Sequence, residues 1–157
     1  MNQSKYGKYI ITESKPDIFL PSYRSEAKPE PAPQEPAKGQ SRPRKRPTRL
    51  MWLDSAAIPG AFYSECVWIW PECASEEGAA KAHTHPFDEI ITFYGTNPDD
   101  PHDLCGEAEL WLEDEKHIMT KSFLAFVPAG MQHCPLIVRR VDRPIIHFTI
   151  GRTTKYV

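Results

Sequence analysis

His83-Thr84-His85 carries two imidazoles one residue apart, and Glu89 follows four residues after the second. Side chains of an extended segment alternate between its faces, so positions 83, 85 and 89 share one side. Three groups able to hold a metal thus converge on one face of a short stretch. A fourth, His133, arrives much later in Pro128-Ala129-Gly130-Met131-Gln132-His133. Neutral imidazoles with one carboxylate suit a divalent first-row metal and neutralise only one of its charges. An octahedral ion held by His83, His85, Glu89 and His133 keeps up to two positions open, which is a catalytic rather than a closed structural arrangement.

The two stretches resemble the paired motifs of the cupins, a superfamily of small β-barrels. The first motif reads Gly78, His83, His85, Glu89, Gly95, and the second reads Ser122, Pro128, Gly130, His133, Ile137. The spacings His-x-His-x3-Glu and Pro-x-Gly-x-x-His both match. The glycine spacings of the first motif are each one residue short, Ser122 stands where a turn glycine is usual, and Ile137 stands where asparagine is usual. None of these departures touches the four ligand positions. The resemblance covers roughly residues 50 to 151. It implies an all-β, cupin-type jelly-roll barrel and one bound transition metal, Fe2+, Mn2+, Ni2+ or Zn2+.

Segment patterns reach the all-β reading without the motif. From Leu50 onward, short apolar or alternating runs are separated by turn residues. Strands are expected at Leu50–Leu53, Ala61–Trp70, within His83–Tyr94, and at Glu107–Leu112, Lys116–Thr120, Phe123–Val127, Leu136–Val141 and Ile145–Ile150. Thr96–Gly106 reads as a polar loop. About eight strands with no amphipathic helix fit a sandwich or barrel.

The charge is divided. Residues 1–50 carry 11 basic and 5 acidic side chains, +6; the other 107 carry 8 and 16, −8. Eight of the sixteen prolines lie in the first 50 residues. Residues 1–26 read as an arm with a short strand near Lys8–Thr12, lying over its own barrel or over a partner's. Residues 27–48 read as a proline-rich basic linker, and 49–157 as the barrel domain. The basic run Arg42–Arg49 lacks interleaved aromatics, which argues against nucleic acid as a partner. No apolar run is long enough for a membrane span and the N-terminus lacks a secretory pattern, so a cytoplasmic protein is expected. Cys66, Cys73, Cys105 and Cys134 form no Cys-x-x-Cys pair and read as reduced thiols. Cys134, next to a ligand, should face away from the metal.

Other residues are expected to complete the site. His147, in an apolar strand, is a candidate acid–base group or else a satisfied core histidine. Phe93 shares the parity of Glu89 and, with Trp68, Trp111 and Ile137, is expected to line a substrate pocket. Tyr63 and Glu65 share a strand face of undetermined direction. The function expected is a metalloenzyme acting on a small polar organic molecule by dioxygenase-like, lyase or isomerase chemistry. The alternative is a binding or sensing module without turnover. A homodimer is expected from exposed barrel edges and the arm.

Overall fold

A computed structural model describes residues 5–13, 20–24 and 46–157. Residues 27–45 of the expected linker lie outside them. Eight strands run β1 Thr48–Leu53, β2 Tyr63–Ile69, β3 Glu89–Tyr94, β4 Asp103–Leu112, β5 Glu115–Lys121, β6 Phe123–Val127, β7 His133–Val141 and β8 Ile145–Gly151. They form a five-stranded antiparallel sheet in the order β1-β2-β8-β3-β6 and a three-stranded antiparallel sheet in the order β5-β4-β7. The all-β barrel expected from the sequence is what the chain forms. Among the described residues, no helix is long and apolar enough to cross a membrane.

Alternation builds the core. Ile69, Ile91, Phe93 and Ile145 of the larger sheet pack against Leu104, Ala108, Leu110 and Leu136 of the smaller one, all buried. A second cluster, Trp52, Tyr63, Phe87 and Tyr156, closes one end of the barrel, with Leu20 and Tyr23 packed on it. Leu20–Arg24 of the arm therefore lie over their own barrel. Arg24 pairs with Ala80 in an isolated bridge, and Lys81 N donates to Tyr23 O at 3.1 Å.

Three local expectations are corrected. Gly7–Tyr9 is a turn of 3-10 helix, so no strand forms near Lys8–Thr12. The loop after Thr96 ends early: β4 begins at Asp103, and Cys105, at φ 53, lies within the register shift between Asp103 and Ala108. His83 and His85 precede β3, whose first residue is Glu89. Pro86 lies between them and that strand and supplies no ladder donor.

Candidate metal centre

Two loops deliver the ligands. Pro128–Met131 closes a turn in which Met131 N donates to Pro128 O at 3.1 Å and Gly130 takes φ 82, a conformation open to glycine. Gly130 N donates to His85 O at 2.9 Å, and Ala129 N donates to Asp88 Oδ1 at 3.1 Å. His83 and His133 then exchange both backbone hydrogen bonds, at 3.1 and 3.0 Å. This single antiparallel bridge, rather than one continuous strand, brings the two motifs together. Ser122, the departure from the usual glycine, accepts from Gly95 N at 3.0 Å and donates to Pro101 O at 2.9 Å, tying the loops at the far end of β3.

The three imidazoles are locked in one tautomer. His83 Nδ1 lies 2.7 Å from Lys81 O, His85 Nδ1 2.7 Å from Phe87 O, and His133 Nδ1 3.1 Å from Met131 O. A carbonyl only accepts, so each Nδ1 carries a proton and, in the neutral ring, each Nε2 keeps its lone pair. One ligand atom from each ring lies within 4.8 Å of the others. Glu89 Oε2 sits 3.2 Å from His85 Nε2 and 3.3 Å from His133 Nε2. The His133 contact is off the hydrogen-bond direction, and the Nε2 atoms of His83 and His133 are buried without a hydrogen-bond partner. Lone pairs so apposed are unfavourable unless a cation lies among them. Neighbouring ligands of an ion with bonds of about 2.1 Å lie about 3 Å apart, in keeping with the two Glu89 separations. The three histidines therefore form a cluster able to hold a metal ion, with the Glu89 carboxylate beside two of them.

Electrostatics agree. Burial pushes His83 down to about 4, so its imidazole is neutral near neutral pH. Burial opposes the charge of Glu89, but donation from His133 and His85, which needs a proton on Nε2 in place of a metal, outweighs it and brings the carboxyl down to about 2. Thr149 Oγ1 donates to Glu89 Oε1 at 3.1 Å, fixing the other oxygen. Aromatic rings hold two of the imidazoles: Tyr23 stacks on His83 at 3.8 Å, and Phe87 on His85 at 3.9 Å with planes 2° apart.

The cluster opens on a cavity of about 410 Å³ between the sheets. Phe93 and His147 line it. His147 Nδ1 donates to Thr92 O at 3.0 Å, its ring lies 4.5 Å from that of Phe93, and burial lowers its pKa. Trp68, Trp111 and Ile137 do not line the cavity. Trp68 alternates with the inward Val67 and Ile69 and packs beside Trp70 instead. Ile137 pairs with Glu109, whose carboxylate accepts from Trp111 Nε1 and Arg139 Nε on the outside of the smaller sheet. Cys134 is the reverse case: at φ 72 it breaks the alternation of β7 and lines the cavity, where burial and then the Glu89 charge push its thiol up to about 12.

Tyr63 and Glu65 face inward, and Glu65 anchors a network. Arg24 Nη2 donates to it at 2.8 Å, Arg49 Nε at 2.7 Å and the Tyr63 hydroxyl at 3.0 Å. Burial opposes the Glu65 charge, but Arg24 and then Arg49 outweigh it and lower its pKa. Sequence reading missed Tyr23, Arg24 and Tyr156, which lie in the terminal segments. The only local signal was an apolar–aromatic group in an otherwise polar arm.

Together the barrel and its histidine cluster define an all-β protein with a candidate site for a metal ion. No family model matches the chain, and no curated protein matches it. Solved structures similar to it include an RmlC-like cupin from Shewanella frigidimarina, with 15% identity over 57% of this chain and 65% of that one, at a TM-score of 0.38. They also include the DMSP lyase DddQ from Ruegeria pomeroyi, with 24% identity over 59% of this chain and 38% of that one, at 0.38. A predicted oxalate decarboxylase from Thermotoga maritima has 13% identity over 68% and 78%, at 0.46. This chain spans less than two thirds of the first two. At such identities and TM-scores the likenesses assign no activity.

Proposed function

We propose that the chain is a metalloenzyme that binds one divalent transition metal through His83, His85, Glu89 and His133 and acts on a small polar organic molecule. The observation that carries this reading is the set of three Nδ1-locked imidazoles whose Nε2 lone pairs converge beside a single carboxylate. A bound Fe2+, Mn2+, Ni2+ or Zn2+ would supply Lewis-acid or, for iron, oxygen chemistry at positions the protein leaves open.

The chain's own residues do the rest. Glu89, held ionised by its surroundings, provides the one negative charge. Tyr23 and Phe87 keep two rings from turning. The apolar wall of Val67, Ile91, Phe93 and Leu136 excludes water around a substrate of modest size. His147 is the acid–base group: its Nδ1 proton is committed to Thr92 O, leaving Nε2 to take and return a proton.

The test reconstitutes the protein with each of the four metals and presents small carboxylic and hydroxylated compounds, following oxygen uptake and product by NMR. Turnover that falls about 100-fold or more in His147→Gln, with metal content unchanged, supports the reading. The Tyr23 contact favours a second reading, since it ties a ligand to the arm that leads into the linker: binding without turnover, reported through that arm. Ligand-dependent protection of the arm with no product from any metal would put that reading first.

A further inference from the structure

The cavity beside the histidine cluster is divided by polarity, and strand register sets out the division. On the inner face of the larger sheet, Tyr63 and Glu89 flank Gly151 in one row. Glu65, Thr149 and Ile91 make the next row, and Val67, His147 and Phe93 the row beyond. Polar contacts tie the first two rows together: Thr149 Oγ1 donates to Glu89 Oε1 at 3.1 Å, and Arg24 Nη2 donates to Glu65 at 2.8 Å. Arg49, opposite Val67 on β1, turns its Nε back to Glu65. Past these groups the lining becomes apolar. Val67, Ile69, Ile91 and Phe93 of the larger sheet are joined there by Leu136 and Val138 of β7. His147 stands among them, and burial lowers its pKa, which favours the neutral ring. Among the described residues, charged side chains return only at the exposed rim, at Arg46 and Glu77.

We infer that the substrate is amphipathic: a carboxylic acid with an unbranched apolar body of about six to ten carbons. Its carboxylate lies at the end of Glu89 and Arg24, and its body lies along Val67, Ile91, Phe93 and Leu136. This rests on the metal centre serving that cavity, and it narrows the substrate class proposed above. Charge selects the head. A divalent ion and the Arg24 and Arg49 guanidinium groups are cationic, and a guanidinium forks onto a carboxylate. Length and volume select the body. From Glu89 to Phe93 is four residues of strand, about 13 Å. At about 1.5 Å per carbon–carbon bond, shortened by the zigzag, that depth takes about ten carbons. A cavity of about 410 Å³ falls among those that enclose whole ligands of drug size, and a two- or three-carbon acid would leave its apolar walls against water.

Titration calorimetry of the full chain, incubated with Zn2+, against propionate, hexanoate, octanoate and dodecanoate tests the inference. Each buried methylene should tighten binding about three- to fourfold up to octanoate. The gain should stop by dodecanoate, which outruns the cavity. Octanol, which lacks the carboxylate, should bind about tenfold or more weakly than octanoate. Val67→Phe, which fills the middle of the cavity, should cost octanoate about tenfold or more and propionate far less. Should the larger ring cost the fold, Val67→Thr keeps the shape and adds a hydroxyl to the wall; it should weaken octanoate about threefold or more. Octanoate binding no tighter than propionate overturns the inference. So does octanol binding as tightly as octanoate, or an octanoate affinity unmoved in both Val67 variants. Zinc content of the same samples keeps the two claims apart. One Zn2+ taken up with a flat series contradicts the amphipathic substrate alone, and a steep series in protein that takes up no Zn2+ contradicts the metal reading alone.

Discussion

Tyr23 lies flat on His83, with ring centroids 3.8 Å apart and planes 16° from parallel, although sixty positions separate them in the chain. Three further contacts hold Tyr23 there: its carbonyl accepts from Lys81 N, its hydroxyl donates to Val157 O at 2.7 Å, and its ring meets that of Tyr156 edge-on. A residue of the arm thus fixes the orientation of a ligand. Tyr23→Ala should weaken metal binding by about 10- to 100-fold, the usual cost of losing a group that orients a ligand. Tyr23→Phe, which keeps the stacked ring, should remain close to the wild type. Competition with a chromophoric chelator reads both, and equal affinities for Tyr23→Ala and the wild type would remove Tyr23 from the site.

Acid should loosen the metal-free protein in two stages. The folded His83 titrates at about 4 against an ordinary 6.5, so between those values the unfolded chain binds more protons. Stability therefore falls as pH drops through that window. Glu89 titrates at about 2 against 4.5, so the stability of its ionised form is present above pH 4.5 and is lost as pH falls toward 2. Urea midpoints of the metal-free wild type should decline through both windows. His83→Gln should make the upper decline shallower, leaving the part due to buried His147, and should leave the lower one unchanged. Superimposed profiles between pH 6.5 and 4 would contradict the assignment to His83.

Glu65 is fully buried and holds Arg24 and Arg49, themselves only 16% and 19% exposed. Removing the carboxylate leaves buried cations without it, which costs about 3–5 kcal/mol in comparable pairs. Glu65→Gln should show most of that loss in urea unfolding. It should also release Leu20–Arg24 from the barrel, read as faster hydrogen exchange in that segment. A stability within 1 kcal/mol of the wild type, on the order of an ordinary surface change, would show that the network does not brace the arm.

Gly95 is required by space rather than by dihedral freedom. A Cβ there would come within 1.9 Å of Asp103 O and 2.8 Å of Leu104 Cα, both backbone atoms. Gly95→Ala must move the start of β4 and should cost about 1–3 kcal/mol, lowering the melting temperature. An unchanged melting temperature would mean that the β3–β4 connection yields freely.

The sequence made the candidate ligands legible because their spacing is local, and most strands legible because apolar runs alternate with turn residues. Phe123–Val127 was read to its exact ends. Where the reading failed, non-local geometry was decisive. Parity placed His83 and His85 on the strand of Glu89, but the bridge to His133 positions them instead. Parity also turned Cys134 outward, where a positive φ turns it to the cavity. Trp68, Trp111 and Ile137 are large and apolar, but composition does not say which face of a strand a sheet will bury. Tyr23, Arg24 and Tyr156 reach the site from the ends of the chain, a closure no local pattern announces.

The central claim is that His83, His85, Glu89 and His133 hold one divalent metal. Elemental analysis of the purified protein, before and after reconstitution with Fe2+, Mn2+, Ni2+ and Zn2+, tests it most directly when run beside His83→Ala and His133→Ala. The account predicts about one equivalent per chain in the wild type and a loss of that equivalent in both variants. A wild type that stays metal-free after reconstitution, or variants that retain the same equivalent, would contradict it.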